Sequence, residues 1–131
     1  MMTLLIIEDN FDLLHLYRKA MKLVEISPEI ETTGPAALRR IQDLHMDPPK
    51  AVILDLHLKR EYGQEVNGEE LFHVMRETWP GTKIIVVSAD LMWCRQFVGV
   101  ADEVVEKPIV NMVDFLRMIQ GYLGRPAAAL T

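Results

Sequence analysis

Short apolar runs recur along the chain, and each is followed by a stretch in which apolar residues return at helical spacing. Five runs predict strands, at residues 4–7, 29–33, 51–55, 84–87 and 104–105. An unbroken apolar run is typical of a strand that is buried on both faces, as in a parallel sheet. The run at 29–33 is the weakest of the five, so we expect it near an edge of the sheet.

Five helices are predicted to follow these strands. Their inner faces are Leu13, Leu16, Tyr17, Ala20 and Val24; Ala37, Leu38, Ile41 and Leu44; Leu71, Val74 and Met75; a short stretch at 91–98; and Met112, Phe115, Leu116, Ile119 and Leu123. Residues that favour helix N-termini precede three of the helices, namely Asn10 or Asp12, Asn67 with Glu70, and Asn111 with Asp114.

The alternation of strand and helix predicts parallel strands joined by right-handed crossovers, with helices on both faces of the sheet. We therefore expect an α/β fold, a flavodoxin-like (βα)5 doubly wound parallel sheet with strand order 2-1-3-4-5. One domain would cover residues 1–124, and residues 125–131 would form a C-terminal tail. Charges of both signs and a glycine at 59–65 predict an exposed loop after the third strand.

Composition excludes several classes of function. The chain has 131 residues and a net charge of −5, which gives no support for direct nucleic-acid binding. Its single cysteine, Cys94, cannot form an intramolecular disulfide. No apolar run is long enough to span a bilayer, and the first residues lack the features of a signal peptide, so we expect a cytoplasmic protein without a membrane partner.

Polar residues at the ends of four strands carry the candidate chemistry. Glu8 and Asp9 follow the first strand, Asp55 ends the third, and Ser88 and Lys107 follow the fourth and fifth. The carboxyl ends of the strands border the ligand crevice in open α/β sheets, so these side chains should meet there. Three neighbouring carboxylates repel one another, and a hard divalent cation relieves that repulsion.

Mg²⁺ takes oxygen ligands and is commonly held by one or two carboxylates together with phosphate oxygens. Lys107 would then place a positive charge on a phosphoryl oxygen, and Ser88 would donate a hydrogen bond. Asp55 lies between them as a candidate nucleophile, because aspartate can form an acyl phosphate. The sequence therefore predicts a magnesium site that receives a phosphoryl group.

These motifs resemble those of response-regulator receiver domains, the aspartate-phosphorylated modules of two-component signalling. The matching features are Glu8-Asp9, Asp55, Ser88-Ala89 and Lys107-Pro108, whose order and spacing cover nearly the whole chain.

The resemblance implies that Asp55 accepts a phosphoryl group from a histidine kinase or a histidine phosphotransfer protein. It implies direct Mg²⁺ ligation by Asp9 and Asp55, ligation by Glu8 through water, and ligation by the backbone carbonyl of His57. The chain would be a regulatory phosphoacceptor and not a conventional enzyme. We expect no DNA-binding or catalytic output domain within 131 residues, so an unknown downstream protein would read residues 88–123. A homodimer through that surface is an option that no residue pattern specifies.

Three features depart from the family pattern. Val104 stands where receivers often carry an aromatic switch residue, and the segment 88–107 is short, which predicts a clipped fourth helix. The loop after Asp55 is long and has Leu58-Lys59 in place of a Met-Pro pair. The residues expected for phosphoacceptor chemistry are all present, whereas the usual route from the phosphoryl group to the output surface is not predicted by these residues.

Two other functions fit parts of the pattern. A pseudo-receiver would keep the fold as an interaction module that phosphate does not switch. A magnesium-dependent phosphatase would use an aspartyl nucleophile, but it usually needs a second acid two residues later, where this chain has His57. Ser88 could also serve only as a helix cap, and Met92 or Trp93 could lie exposed on a partner surface.

Overall fold

The chain forms a parallel five-stranded sheet with helices on both faces in a computed structural model that describes residues 3–58 and 66–125. The elements alternate as β1 (Leu4–Ile7), α1 (Phe11–Leu23), β2 (Glu29–Glu31), α2 (Gly34–Gln42), β3 (Ala51–Asp55), α3 (Gly68–Thr78), β4 (Lys83–Ser88), α4 (Leu91–Phe97), β5 (Glu103–Glu106) and α5 (Met112–Tyr122). The strand order is β2-β1-β3-β4-β5 with every pair parallel, which confirms the predicted fold.

Both faces of the sheet are buried, which explains the unbroken apolar runs. Successive side chains of a strand point to opposite faces. The face that packs with α1 and α5 carries Leu4, Ile6, Ile53, Ile85 and Val87. The face that packs with α2, α3 and α4 carries Leu5, Ile7, Val52, Leu54, Ile84 and Val86. The inner strands therefore need apolar residues at every position and tolerate charge only at their ends.

The helices begin where the sequence places capping side chains. Asn10, Asn67 and Asn111 each have an extended backbone and accept a hydrogen bond from the backbone N–H three residues later, as predicted. Thr33 and Asp90 cap α2 and α4 in the same role. No helix in the described part of the chain combines the length and the apolar character needed to cross a membrane.

Several details of the predicted core were wrong. Leu16 is 54% exposed, whereas Leu14 and Met21 of α1 are buried. Helical spacing permits overlapping apolar stripes, and contact with the sheet selects one of them. Leu44 is 90% exposed because α2 ends before it. Strand β2 is shorter than the predicted 29–33, since Thr33 already caps α2.

Two predicted segments fall outside the part of the chain that the structure describes. The loop at 59–65 is one of them, and the tail beyond Arg125 is the other. The division into a domain at 1–124 and a tail therefore stays a prediction.

The start of α3 packs directly on the chain that follows β3. A Cβ atom at Gly68 would lie 2.5 Å from the Cα of Leu56 and 2.6 Å from the carbonyl oxygen of Asp55. The Gly68 N–H instead donates to the Leu56 carbonyl at 3.2 Å. Only glycine permits this approach, which holds the end of β3 in place beneath the acidic residues.

Candidate functional site

The carboxyl ends of β1, β3, β4 and β5 lie side by side and form what we call the carboxyl edge of the sheet. The parallel register pairs Asp55 with Val87, and the Lys107 N–H continues the ladder by donating to the Ser88 carbonyl at 2.9 Å. Glu8, Asp9 and Asp55 each offer an oxygen to a group whose members lie within 4.8 Å of one another. The predicted acidic cluster is therefore assembled, and its hard oxygen donors fit a divalent cation.

Lys107 lies within this cluster. Its Nζ is 2.8 Å from Glu8 Oε1 and 3.3 Å from Asp55 Oδ1. Both carboxyl groups are almost completely buried, at 1% exposure for Glu8 and 3% for Asp55. One ammonium group therefore serves two carboxyl groups that water hardly reaches.

This compensation is incomplete for Asp55. Burial raises the pKa of its carboxyl to about 8, and the adjacent Glu8 adds to the rise. Lys107 and the His57 N–H, which donates to Asp55 Oδ1 at 3.2 Å, lower the pKa without cancelling those effects. The pKa of Asp55 therefore lies above its usual range, and a cation that binds the site would favour the ionised carboxylate.

The ammonium of Lys107 stays charged. Burial lowers its pKa, but hydrogen bonding to Glu8 and the negative charge of Asp55 more than offset that effect, so that the net change in pKa is upward. A permanent positive charge beside Asp55 suits the stabilisation of a transferring phosphoryl group.

Glu8 is fixed by its own backbone turn. Its Oε2 accepts hydrogen bonds from the N–H groups of Asp9 and Asn10, at 3.0 and 3.1 Å. Because Oε1 contacts Lys107, both carboxylate oxygens are engaged. Asp9 is only half-buried, which leaves it the most accessible of the three acids.

Ser88 is completely buried at the end of β4. Its Oγ accepts a hydrogen bond from the Asp90 N–H at 3.0 Å. Asp90, rather than Ser88, caps α4, since its carboxylate accepts from the N–H groups of Met92 and Trp93. Ser88 therefore supports the turn that precedes the cap, and its contact with a phosphoryl group stays a prediction.

The His57 side chain makes a contact that no sequence pattern indicated. Its ring stacks on the Trp93 indole, with 4.5 Å between centroids and 1° between planes. Its Nε2 is 4.0 Å from Asp90 Oδ2. The two rings come from segments far apart in the chain, so only the fold brings them together. Met92, by contrast, is 65% exposed, which agrees with the expectation that either Met92 or Trp93 lies exposed.

Tyr17 is a second residue that sequence reasoning placed only in the core. It is completely buried and stacks on Phe115, and its hydroxyl has no hydrogen-bond partner among the described residues. Burial, together with the charges of Glu8 and Asp55, raises its pKa well above the ordinary range. The hydroxyl is therefore a neutral donor on the core side of the acidic cluster.

An apolar cavity of about 470 Å³ opens beside Lys107. It lies between α1 and the chain that joins β5 to α5. Its lining comprises Asn10, Asp12, Leu13, Leu16, Ala89, Lys107, Pro108, Ile109 and Met112. The exposed position of Leu16, unexpected from the sequence, gives this cavity part of its apolar wall.

The sequence matches no protein-family model and no curated protein sequence. The solved structures give clear matches. A response-regulator receiver domain protein from Methanospirillum hungatei JF-1 is 24% identical, covers 95% of this chain and 94% of its own, and has a TM-score of 0.76.

Two further matches were solved with ligands. The receiver domain of a sensor histidine kinase from Pseudomonas aeruginosa PAO1, with a magnesium ion in its active-site cleft, is 18% identical over 94% of this chain and 98% of its own, with a TM-score of 0.76. A response regulator from Thermotoga maritima, in complex with Mg²⁺ and BeF, is 20% identical over 93% and 99%, with a TM-score of 0.75. The chain therefore has the receiver-domain fold.

Proposed function

We propose that this chain is a phosphoryl-accepting switch of a two-component phosphorelay, with Asp55 as the acceptor. The observation that carries the proposal is the bridging position of Lys107, whose Nζ contacts both Glu8 and Asp55 inside a cluster of three acids. A structural ion pair has no need of two further carboxyl groups. A site that must hold a divalent cation and a phosphoryl group does.

The residues of the cluster take separate roles in phosphoryl transfer. Asp9, Asp55 and the His57 carbonyl would hold Mg²⁺ directly, and Glu8 would act through water. The bound metal supplies positive charge that offsets the charge of the transferring group. The Mg²⁺-loaded structures from Pseudomonas aeruginosa and Thermotoga maritima support this assignment by their shared fold.

The transfer exchanges one bond to phosphorus for another. An ionised Asp55 oxygen bonds to phosphorus while the bond between phosphorus and the donor imidazole nitrogen breaks, and the imidazole retains the electron pair of that bond. Lys107 turns from the carboxyl groups to a phosphoryl oxygen, and the Ser88 hydroxyl donates to another. The chain is then a regulatory phosphoacceptor that assists its own modification.

The donor would approach at the carboxyl edge of the sheet, because Asp55 lies at the carboxyl end of β3. The apolar cavity between α1 and the chain after Lys107 lies on that approach. We assign it to the histidine-bearing partner, a kinase or a phosphotransfer protein of the cytoplasm. Apolar contact beside the site would hold the phosphohistidine near the acceptor.

Acetyl phosphate with Mg²⁺ tests the proposal, with intact mass as the measurement. The wild type should gain one phosphoryl group, and Asp55→Asn should gain none because its amide is not a nucleophile. Asp114→Asn is the matched control, since Asp114 is a 70% exposed acid of α5, and it should label like the wild type.

The other functions predict different outcomes. A wild type that gains no mass under conditions that label an ordinary receiver would support a pseudo-receiver. Sustained turnover of a small phosphate ester, with saturation kinetics, would support the phosphatase.

A further inference from the structure

The stacked pair of His57 and Trp93 joins the candidate site to α4. The imidazole and indole planes are parallel within 1°, with centroids 4.5 Å apart. His57 is the second residue after Asp55, and Trp93 is in the first turn of α4. The pair therefore spans the turn after β3 and the helix after β4.

Two short paths lead from Trp93 back to the residues expected to contact the phosphoryl group. One passes through the stack to His57, whose N–H donates to Asp55 Oδ1 at 3.2 Å. The other passes through Asp90, which accepts from the Trp93 N–H at 3.2 Å and donates its own N–H to Ser88 Oγ at 3.0 Å. Both paths therefore end at Trp93, the first on its indole ring and the second on its backbone N–H.

The surroundings of Trp93 favour a coupling role over simple packing. The indole is half-buried against the core cluster between the sheet and α2, α3 and α4, while the His57 side chain is 55% exposed. Stacking therefore contributes little burial on the histidine side. The stack instead bears on the turn after β3, where the Gly68 N–H also donates to the Leu56 carbonyl at 3.2 Å.

We propose that Trp93 is a positioning residue for the acidic site. Its indole holds the His57 ring, which fixes the peptide groups on either side of His57. One of them donates to Asp55, and the other carries the carbonyl expected to bind Mg²⁺. This inference rests on the proposed function. It connects the acidic site to α4 without an aromatic residue at position 104, where this chain has valine.

Coupling between two sites is reciprocal. If Trp93 sets the geometry of the metal ligands, occupation of the site must also change the environment of the indole. The chain has two tryptophans, and the other, Trp79, is 3% exposed within the core. Mg²⁺ should therefore change the fluorescence of the wild type and leave that of Trp93→Phe nearly unchanged.

Calorimetric titration with Mg²⁺ measures the positioning directly. Trp93→Ala should bind Mg²⁺ about threefold to tenfold more weakly than the wild type, the range expected for the loss of one aromatic pair. Trp93→Phe retains a stacking ring and should restore most of the affinity. Met92→Ala truncates the neighbouring, 65% exposed residue of α4 and should bind like the wild type.

His57→Ala removes the pair from its exposed side, so it provides the same test if Trp93→Ala fails to fold. The double variant should weaken Mg²⁺ binding no more than either single variant, because both remove the same contact. Additive effects, or wild-type affinity in both single variants, would overturn the inference.

Different outcomes would contradict the proposed function and the positioning role of Trp93. A wild type that binds Mg²⁺ but gains no phosphoryl group from acetyl phosphate would contradict the switch and leave the positioning role measurable. A wild type that labels at Asp55, with Trp93→Ala binding Mg²⁺ equally well, would contradict only the positioning role.

Discussion

Two carboxyl groups lie at opposite ends of the strands, one at the amino edge of the sheet and one at the carboxyl edge. They differ in the hydrogen-bond donors and positive charges that the fold supplies to them. Asp102 lies where β4 and β5 begin, and its Oδ2 accepts from Arg76 at 3.0 Å and from the Ile84 N–H at 2.8 Å. Asp55 lies where β3 ends and shares a single lysine with Glu8. The fold supplies Asp102 with a guanidinium group and a backbone N–H, whereas the one lysine that it supplies to Asp55 also serves Glu8.

The surroundings of Asp102 show what full compensation requires. Arg76 also donates to the carbonyls of Thr82 and Val100. The Tyr122 hydroxyl donates to the Asp102 carbonyl at 3.0 Å, which ties α5 to the same edge. Every one of these connections is internal, so this edge needs no ligand. At the edge that carries Asp55, the three acids have one lysine among them, and this difference is the reason for proposing Asp102 as a structural acid and Asp55 as a functional one.

The largest loss of stability is expected when Asp102 is replaced. Asp102→Ala leaves the Arg76 guanidinium and the Ile84 N–H without their acceptor, so the free energy of unfolding should fall by about 2 kcal/mol or more. Urea denaturation measures the change. Asp114→Ala, which removes an exposed acid 4.0 Å from Arg117, should change stability by less than about 1 kcal/mol. Equal losses in the two variants would mean that the donors around Asp102 contribute no more to stability than an exposed ion pair does.

Replacement of Asp55 should change stability in the opposite direction. The pKa of Asp55 is raised from an ordinary value of 3.8 to about 8, so its contribution to stability is full below about pH 4 and is lost as the pH rises towards 8. Asp55→Asn keeps the shape of the side chain without that loss.

The variant should therefore gain stability relative to the wild type across this pH range. A tenfold change in an acid dissociation constant corresponds to about 1.4 kcal/mol, so a gain above about 1 kcal/mol is expected near pH 8. Urea denaturation of both proteins at several pH values measures the difference. A difference that is constant between pH 4 and pH 8 would contradict the raised pKa of Asp55.

The smallest effect concerns the metal. Millimolar Mg²⁺ should raise the melting temperature of the wild type, because it binds the folded state and relieves repulsion among the acids. Asp9→Asn should melt slightly higher than the wild type without metal and respond less to Mg²⁺. Asp12→Asn changes an acid of the first turn of α1 and serves as the control. No response of the wild type would mean that the edge at Asp55 is not a preformed metal site.

The sequence predicted the elements of this fold well because local patterns determine them. Apolar runs located the strands, and Asn10, Asn67 and Asn111 located three helix starts. The meeting of Glu8 with Lys107 followed from topology alone, since parallel strands bring their carboxyl ends together.

Contacts between distant segments were not predictable in this way. The stacking of His57 on Trp93 depends on how the turn after β3 lies against α4, which neither segment encodes by itself. The same holds for Leu16, because the helical pattern of α1 permits more than one buried stripe and packing decides between them.

The order of the strands has a consequence for the way the chain folds. Asp55 lies on the central strand, and its partners follow the first strand and the last. Such pairing between distant segments has a high entropic cost of loop closure, so it forms late in folding. A nascent chain therefore has no complete site until Lys107 has left the ribosome and β5 has docked. If the proposed function is correct, labelling of Asp55 by acetyl phosphate would report that the whole sheet has assembled.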